Sequence, residues 1–233
     1  MDVKQFRYAA DNFSYIIYKG KRAVVIDGGA IEDILNFIDS NGLKVEFTAN
    51  THSHADHFPL NKKIVERTKA VNLDFSALID KKSIPLEDEK ILVYNSPGHT
   101  NDSVMFYTGK HLITGDTLFN GTVGNCFSGH INSFYKTIRM ILSSFPLDTI
   151  IYAGHDYVKD SIAFAKKIEP NNKNIDNFLM TYDSNHVFST LSDELQINPY
   201  LRFNEESIIN VLRAKSLKTS TEQERFQSIM AIV

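Results

Sequence analysis

The spacing of apolar positions divides the chain into short strands, then alternating strands and helices, then a helical end. Residues 13–18 and 23–26 are rich in β-branched and aromatic side chains, and Lys19-Gly20-Lys21-Arg22 between them reads as a hairpin turn. The second run stops at Asp27-Gly28-Gly29, a turn. Ile31, Ile34, Leu35 and Ile38 follow helical spacing, which Asn41-Gly42 ends. Residues 45–50 predict a strand, and residues 59–68 a helix with Leu60, Ile64 and Val65 turned inward. Further strands are predicted over 91–94, 104–107, 112–114 and 149–152. Phe134, Ile138, Ile141, Leu142 and Phe145 mark an amphipathic helix over 131–145. Helices follow over 161–168, 175–182, 205–212 and from about Thr221, joined by polar connections. Glu169-Pro170-Asn171-Asn172 reads as a boundary, which divides the chain into a main domain over 1–168 and a helical subdomain over 169–233.

One stretch has no packing explanation. Thr51-His52-Ser53-His54-Ala55-Asp56-His57 holds three histidines and an aspartate within six positions, in a chain with 8 histidines in 233 residues. A window of that size would hold about 0.2 of a histidine on average. Imidazole nitrogen and carboxylate oxygen together suit zinc, iron or manganese. A histidine-rich surface loop is the bland alternative, and the predicted strand ends weaken it. Ser96-Pro97-Gly98-His99-Thr100, Gly115-Asp116-Thr117 and Gly154-His155-Asp156 each follow a strand. Singly, His99 or His155 is as readily a structural histidine, and Asp116 a turn cap. Joined to the cluster, all three become candidate ligands. His52 and His54, two apart in extended backbone, point the same way and can reach one ion, while Asp56 and His57 can turn toward a second. Asp27, at a strand end, either orients a ligand histidine from behind or is a plain turn residue. His111, His130 and His186 lie outside the motifs and read as structural or surface groups, Cys126 as a small packed side chain, and Lys166-Lys167 as a solvated helix face.

Composition narrows the class. Hydrophobic residues make up 42% and charged residues 23%, enough for a sizeable core in one large domain or a domain with an appendage. The net charge of −3 offers no long-range attraction to nucleic acid or an anionic membrane. The single cysteine excludes an internal disulfide and is consistent with a reducing compartment. The chain shows neither a secretory leader nor a membrane-length apolar run, so we expect a cytoplasmic monomer that acts on a small molecule, with no nucleic-acid or membrane partner.

The string His-X-His-X-Asp-His, followed by Gly98-His99-Thr100, Gly115-Asp116-Thr117-Leu118-Phe119 and Gly154-His155-Asp156-Tyr157, resembles the metallo-β-lactamase superfamily. Asp11-Asn12-Phe13-Ser14-Tyr15, Glu169-Pro170-Asn171-Asn172, Ser189-Thr190-Leu191 and Asn198-Pro199-Tyr200-Leu201-Arg202 extend the resemblance over nearly the whole chain, toward the hydroxyacylglutathione hydrolases of the glyoxalase pathway. It implies an α/β (α+β) fold, a four-layer αββα sandwich with a C-terminal helical substrate-binding subdomain. It also implies two divalent ions, zinc with iron or manganese as alternatives. His52, His54 and His99 would hold the first and Asp56, His57 and His155 the second. Asp116 would bridge them around a water or hydroxide, which makes Asp116 and Asp56 the catalytic carboxylates. The implied substrate is a glutathione thioester, S-D-lactoylglutathione. A thiol with a pKa near 8.5 leaves without a dedicated acid, and no unassigned acid adjoins the motifs.

The chain departs from that family where the substrate would bind. Relatives carry a basic residue and a tyrosine where this chain has Asn125 and Phe127, although Tyr157 is retained. The stretch 220–226 supplies only Arg225 as a cation. Weaker glutathione binding, or a different thiol, is therefore expected. The resemblance leaves other readings open: a mononuclear-iron persulfide dioxygenase, another thioesterase or lactonase of the same fold, and a metal-bound protein that has lost turnover.

Overall fold

In the computed structural model, which describes residues 1–57 and 61–232, two β-sheets face each other with helices on both outer surfaces. The first sheet has the order β1 (Asp2–Tyr8), β2 (Asn12–Lys19), β3 (Arg22–Ile26), β4 (Lys44–Ala49), β5 (Val71–Asn72). Its first three strands are antiparallel, and β3, β4 and β5 run parallel. α1 (Ile31–Asn41) supplies the β3–β4 crossover, and α2 (Asn61–Thr68) precedes β5. Of the helix predicted over 59–68, Pro59 and Leu60 lie outside the described residues.

The second sheet is built from β6 (Ser83–Leu86), β7 (Glu89–Asn95), β8 (Val104–Tyr107), β9 (His111–Gly115), β12 (Ile150–Ala153) and β13 (Ser189–Thr190), with β13 and β6 at its edges. α3 (Phe75–Lys81) leads into it, and the short hairpin β10 (Leu118–Phe119) with β11 (Thr122–Val123) follows β9. The remaining helices are α4 (Ile131–Ser144), α5 (Val158–Ile168), α6 (Lys173–Thr181), α7 (Leu191–Ile197), α8 (Glu206–Ala214) and α9 (Glu222–Met230). Among the described residues, no helix is long and apolar enough to cross a membrane.

Alternation along the strands builds the layers, because successive side chains leave a strand on opposite faces. Phe13, Tyr15, Ile17, Val24 and Ile26 of the first sheet meet Ile91, Val93, Val104, Phe106 and Ile113 of the second. The other face of the first sheet, with Ile16 and Val25, packs on Ile34, Ile38 and Ile64 of α1 and α2. The outer face of the second, with Met105, Leu112 and Ile151, packs on Phe134, Ile138, Leu212 and Phe226. These four layers are the αββα sandwich, with the C-terminal helices packed in the outermost.

Several elements were not foreseen. β1 is an edge strand on which the chain is only partly buried, so its alternation is weak. α3 and α7 have seven residues each, too short for two helical turns of apolar spacing. For α7 a signal was present: the Thr190 side chain accepts from Asp193 N and the Asp193 side chain from Thr190 N, a capping box.

The C-terminal motifs turn out to be fasteners. Glu169 is buried, and its carboxylate takes two bonds from Arg202, Nε at 2.8 Å and Nη2 at 2.9 Å, with Ser207 Oγ at 2.6 Å. Glu194 and Asn198 are fully buried. Both Glu194 oxygens accept from Gly121 N at 3.0 Å, and Asn198 Nδ2 donates to Glu194 Oε2 at 2.7 Å and Thr122 O at 3.1 Å. The β10–β11 turn is thus held from the C-terminal half of the chain.

Burial pushes the Glu194 carboxyl up to about 7, against the hydrogen bonds from Ser189, Asn198 and Gly121 that hold it down. A raised folded value means the native state keeps its proton where the unfolded chain has lost it, so this group's contribution weakens as pH rises from about 4.5 through 7. Glu194→Gln keeps an acceptor for Gly121 but cannot ionise. Denaturant titrations should therefore show the variant gaining on the order of 3 kcal/mol relative to wild type between pH 5 and pH 8. A pH-independent difference would contradict this.

Candidate metal centre

Strand ends collect the candidate ligands at one rim of the sandwich. β3 and β4 are parallel neighbours with Ile26 opposite Ala49, so Asp27 emerges beside Asn50 and Thr51, and Asp27 N donates to Ala49 O at 3.1 Å. β9 and β12 are likewise parallel, with Gly115 opposite Ala153, which brings Asp116 and His155 out together. Val104 N donates to Thr51 O at 2.8 Å and ties the two sheets beneath the site. Gly154 is required by crowding: a Cβ there would lie 2.1 Å from Asp116 Oδ1.

All seven predicted ligands converge, in two groups: His52, His54, His99 and Asp116, and Asp56, His57 and His155. His52 Nε2 and His99 Nε2 stand 3.1 and 3.0 Å from His54 Nδ1. His57 Nε2 and His155 Nε2 are 3.1 Å apart. Asp116 lies between the groups, with Oδ2 at 3.7 Å from His52, 3.5 Å from His99 and 3.5 Å from His155, and Oδ1 at 3.6 Å from His57. Asp56 Oδ2 is 3.4 Å from His155 Nε2 and 3.9 Å from His57 Nε2. Ligands at about 2.0–2.1 Å around a tetrahedral ion are separated by about 3.3 Å, and these spacings bracket that value.

The hydrogen bonds behind the rings show which nitrogen faces inward. His57 Nδ1 lies 3.1 Å from Asp27 Oδ2, His155 Nδ1 3.1 Å from Asp11 Oδ1, His99 Nδ1 2.9 Å from Asn125 O, and His52 Nδ1 3.0 Å from Thr51 Oγ1. A carboxylate or carbonyl oxygen can only accept, so each Nδ1 donates and each Nε2 faces inward, where it holds either a proton or, once deprotonated, a metal ion. Thr51 Oγ1 gives its own proton to Asp27 Oδ2 at 2.7 Å and so accepts from His52. Two Nε2 atoms facing each other at 3.1 Å repel unless a proton or a metal ion lies between them. Asp116 Oδ1 is buried and finds no hydrogen-bond partner among the described residues. A buried orphan carboxylate oxygen among converging nitrogen lone pairs is a fitting cradle for divalent cations.

Asp27 serves both groups. It is fully buried, accepts from Thr51 N at 2.9 Å and Asn50 Nδ2 at 3.2 Å, and reaches His57 directly and His52 through Thr51. Its contact with His57 Nδ1 is the one an orienting residue would make. Its φ of 50° is left-handed, a conformation aspartate tolerates better than most side chains. Burial alone would raise the Asp27 carboxyl, but the charges of His57 and His52 and the bonds from His57 and Thr51 lower it. Burial likewise lowers His57, yet Asp27 first and then Asp116 and Asp56 outweigh it and push the ring up to about 9. For His52 burial outweighs the charges of Asp116 and Asp27 and takes the ring down to about 4. For Asp116 burial raises the carboxyl, and the His155 hydrogen bond with the charges of His57 and His52 reverses this and holds it far below the usual range.

Aromatic rings flank the centre. Tyr157 stacks on His155 at 4.9 Å and 6°, and Phe127 sets its ring against the edges of His54 and His99 at 5.6 and 5.4 Å. Asn125 contributes its carbonyl to His99, a role its side chain did not suggest. Its side chain lines a cleft of about 330 Å³ together with Tyr157, Phe119 and Tyr200. His111, His130 and His186 stay apart, bonded to Thr108, Asn101 and Tyr152. Sequence reasoning missed Asp11, Asn12 and Thr51 as site residues. Asn12 Nδ2 holds Asp56 Oδ2 at 3.0 Å, and Asp156 N donates to Asp11 O at 2.9 Å, which fixes this turn against His155.

Comparison with known proteins agrees with this geometry. The profile for the hydroxyacylglutathione hydrolase C-terminus matches residues 156–231, and that for the metallo-beta-lactamase superfamily matches residues 8–73. A hydroxyacylglutathione hydrolase of Prochlorococcus marinus (strain MIT 9312) is 34% identical over 232 residues, 92% of this chain and 91% of the relative. The chain belongs to the hydroxyacylglutathione hydrolase family. Another member, the hydroxyacylglutathione hydrolase cytoplasmic of Arabidopsis thaliana, is 30% identical over 88% of this chain and 90% of its own. Among solved structures, ETHE1 from Myxococcus xanthus superposes with a TM-score of 0.69 over 99% of this chain and 90% of that one, at 20% identity, and shares the fold. The hydroxyacylglutathione hydrolase profile covers residues 198–202, of which Asn198 and Arg202 fasten the chain and Tyr200 lines the cleft.

Asp27→Asn keeps acceptors for Thr51 and Asn50 but removes the charge behind His57. Competition against a chromophoric chelator should show metal affinity reduced about 10–100-fold. Undiminished affinity would deny Asp27 its orienting role.

Proposed function

We propose that this chain hydrolyses glutathione thioesters, converting S-D-lactoylglutathione to D-lactate and glutathione, at a binuclear centre made of His52, His54 and His99, of Asp56, His57 and His155, and of Asp116 shared between them. The observation that carries this reading is the orphaned Asp116 Oδ1 amid inward-facing imidazole lone pairs, in a chain of this family. When bound, two divalent ions, which we read as zinc with iron or manganese accepted by the same donors, would supply a water ionised near neutral pH and a Lewis acid for the acyl oxygen.

The protein's own groups account for the remaining steps. His52, His57, His99 and His155 are held by the hydrogen bonds behind them, so that little reorganisation accompanies reaction. Asp56 is half-exposed, its Oδ2 is steadied by Asn12, and its carboxyl is kept low: burial raises it, but His57 and the Asn12 bond prevail. It is placed to take the proton that the attacking water gives up. The water oxygen bonds to the acyl carbon, the carbon–sulfur bond breaks, and sulfur leaves with the electron pair as a thiolate, which needs no acid. Tyr157 and Phe127 wall the approach, and the part of the chain over 169–233 supports the wall through Glu194 and Asn198.

Every donor comes from one chain, which supports action as a monomer. The lone cysteine and the relative named as cytoplasmic support a cytoplasmic enzyme. Purified protein should contain two metal ions per chain and hydrolyse S-D-lactoylglutathione, and Asp116→Ala should lose both ions with at least about a thousandfold of the activity. Retained turnover in that variant would refute the shared role. One iron per chain, with oxygen uptake on glutathione persulfide, would replace the reading with an oxygenase.

A further inference from the structure

A cleft lies beside the metal centre, with room for the thiol arm of a thioester. One of its lining residues, Asn125, bonds His99 through its carbonyl, and another, Tyr157, stacks on His155, so the cleft opens beside both donor groups. Its walls are Phe119, Val123, Phe164 and Tyr200, with Phe164 stacked on Tyr200 at 5.8 Å. Among the described lining residues there is no lysine or arginine, and the one formal charge is Asp160. Glutathione presents two carboxylates, and an anion is ordinarily gripped by charge-assisted bonds from cations.

Arg225, Arg202 and Arg7 are committed elsewhere. Arg225 gives Nε and Nη2 to Asn204 Oδ1 and Nη1 to Thr219 O. Arg202 is spent on Glu169. On the far side of Tyr157, Arg7 pairs with Asp156 at 2.5 Å and donates to Ser184 O, and Lys159 shares that hollow with Asp11, Asp156 and Asp160, so acids outnumber cations there. Phe127 meanwhile stands 66% exposed at the mouth, an apolar ring left in water against the donor histidines. Covering it would be favourable by roughly 25 cal/mol per Å².

Resting on the thioesterase reading, we propose that this site recognises the acyl-thioester group and the apolar part of the thiol arm, and does not read the carboxylates of glutathione. Thioesters of carboxylate-free thiols are then substrates of comparable quality. The cleft selects for the linkage and leaves the carrier's charged ends in solvent.

The test uses protein verified to hold two ions per chain, with S-D-lactoylglutathione and the D-lactoyl thioester of N-acetylcysteamine compared at about 0.02 and about 0.5 M salt. The expected result is kcat/KM within about fivefold for the two, with the glutathione thioester's KM moved less than about twofold by salt. A preference for glutathione above about fiftyfold, with KM climbing several-fold in salt, overturns the inference and leaves the thioesterase reading standing. Asn125→Lys, on an exposed loop, should raise the glutathione-to-N-acetylcysteamine ratio of kcat/KM at least about fivefold at low salt, because it installs the missing cation. An unmoved ratio counts against the inference. Hydrolysis of neither thioester by the two-ion protein overturns the thioesterase reading itself, and this inference with it.

Discussion

Imidazole nitrogens that face one another across 3.1 Å, beside a buried carboxylate oxygen with no partner among the described residues, are stable only with positive charge between them, a proton or a metal ion. Much of the rim is arranged to keep the rings in this otherwise unfavourable array. Asp27, Asp11 and the Asn125 carbonyl turn His57, His155 and His99 so that their lone pairs face inward, and Thr51 relays the Asp27 charge to His52. Because Asp27 reaches one ring in each group, His57 directly and His52 through Thr51, the two halves of the centre share a single buried anchor. Their proton affinities also separate: Asp27 raises His57, whereas burial first and then the charges of His57 and His99 lower His52.

The fold supplies what this array needs. Parallel pairing of β3 with β4 and of β9 with β12 brings strand ends out side by side, and sheet-to-sheet packing sets those two rims against each other. The C-terminal helices secure the substrate side from behind. Glu194 and Asn198 hold the Gly121–Thr122 turn whose neighbours line the cleft, and the Arg202–Glu169 pair fixes the segment that carries Asn198. Breaking a buried pair of that kind typically costs about 3–5 kcal/mol, so the cleft's shape depends on contacts far along the chain.

Much of this was legible in the sequence, for physical reasons that differ by residue. The β2–β3 hairpin and the helix at 131–145 were legible because one buried face imposes a clear period of 2 or 3.6. The seven ligands stood out because donors to a hard or borderline ion must be histidine or carboxylate, and rigid placement puts them at strand ends. Asp11, Asn12 and Thr51 gave no such signal. Each is an ordinary turn residue until the β1–β2 turn folds over His155 or Thr51 falls beside Asp27. Asn125 was read through its side chain, whereas its carbonyl does the orienting, and any residue but proline or glycine would have looked much the same. α3 and α7 are too short for a period, and α7 was announced only by its capping box. Asn198-Pro199-Tyr200-Leu201-Arg202 pointed to the family by resemblance, and the structure adds its role: Asn198 and Arg202 fasten the wall of the cleft, and Tyr200 lines it.

The account stands on two cation positions that share Asp116. Crystals of metal-loaded protein, measured above and below the absorption edge of the bound metal, locate those ions directly. The account predicts two anomalous peaks, one among His52, His54 and His99 and one among Asp56, His57 and His155, with the Asp116 carboxylate between them. A single peak in fully loaded crystals, with Asp116 turned to one group alone, would contradict it.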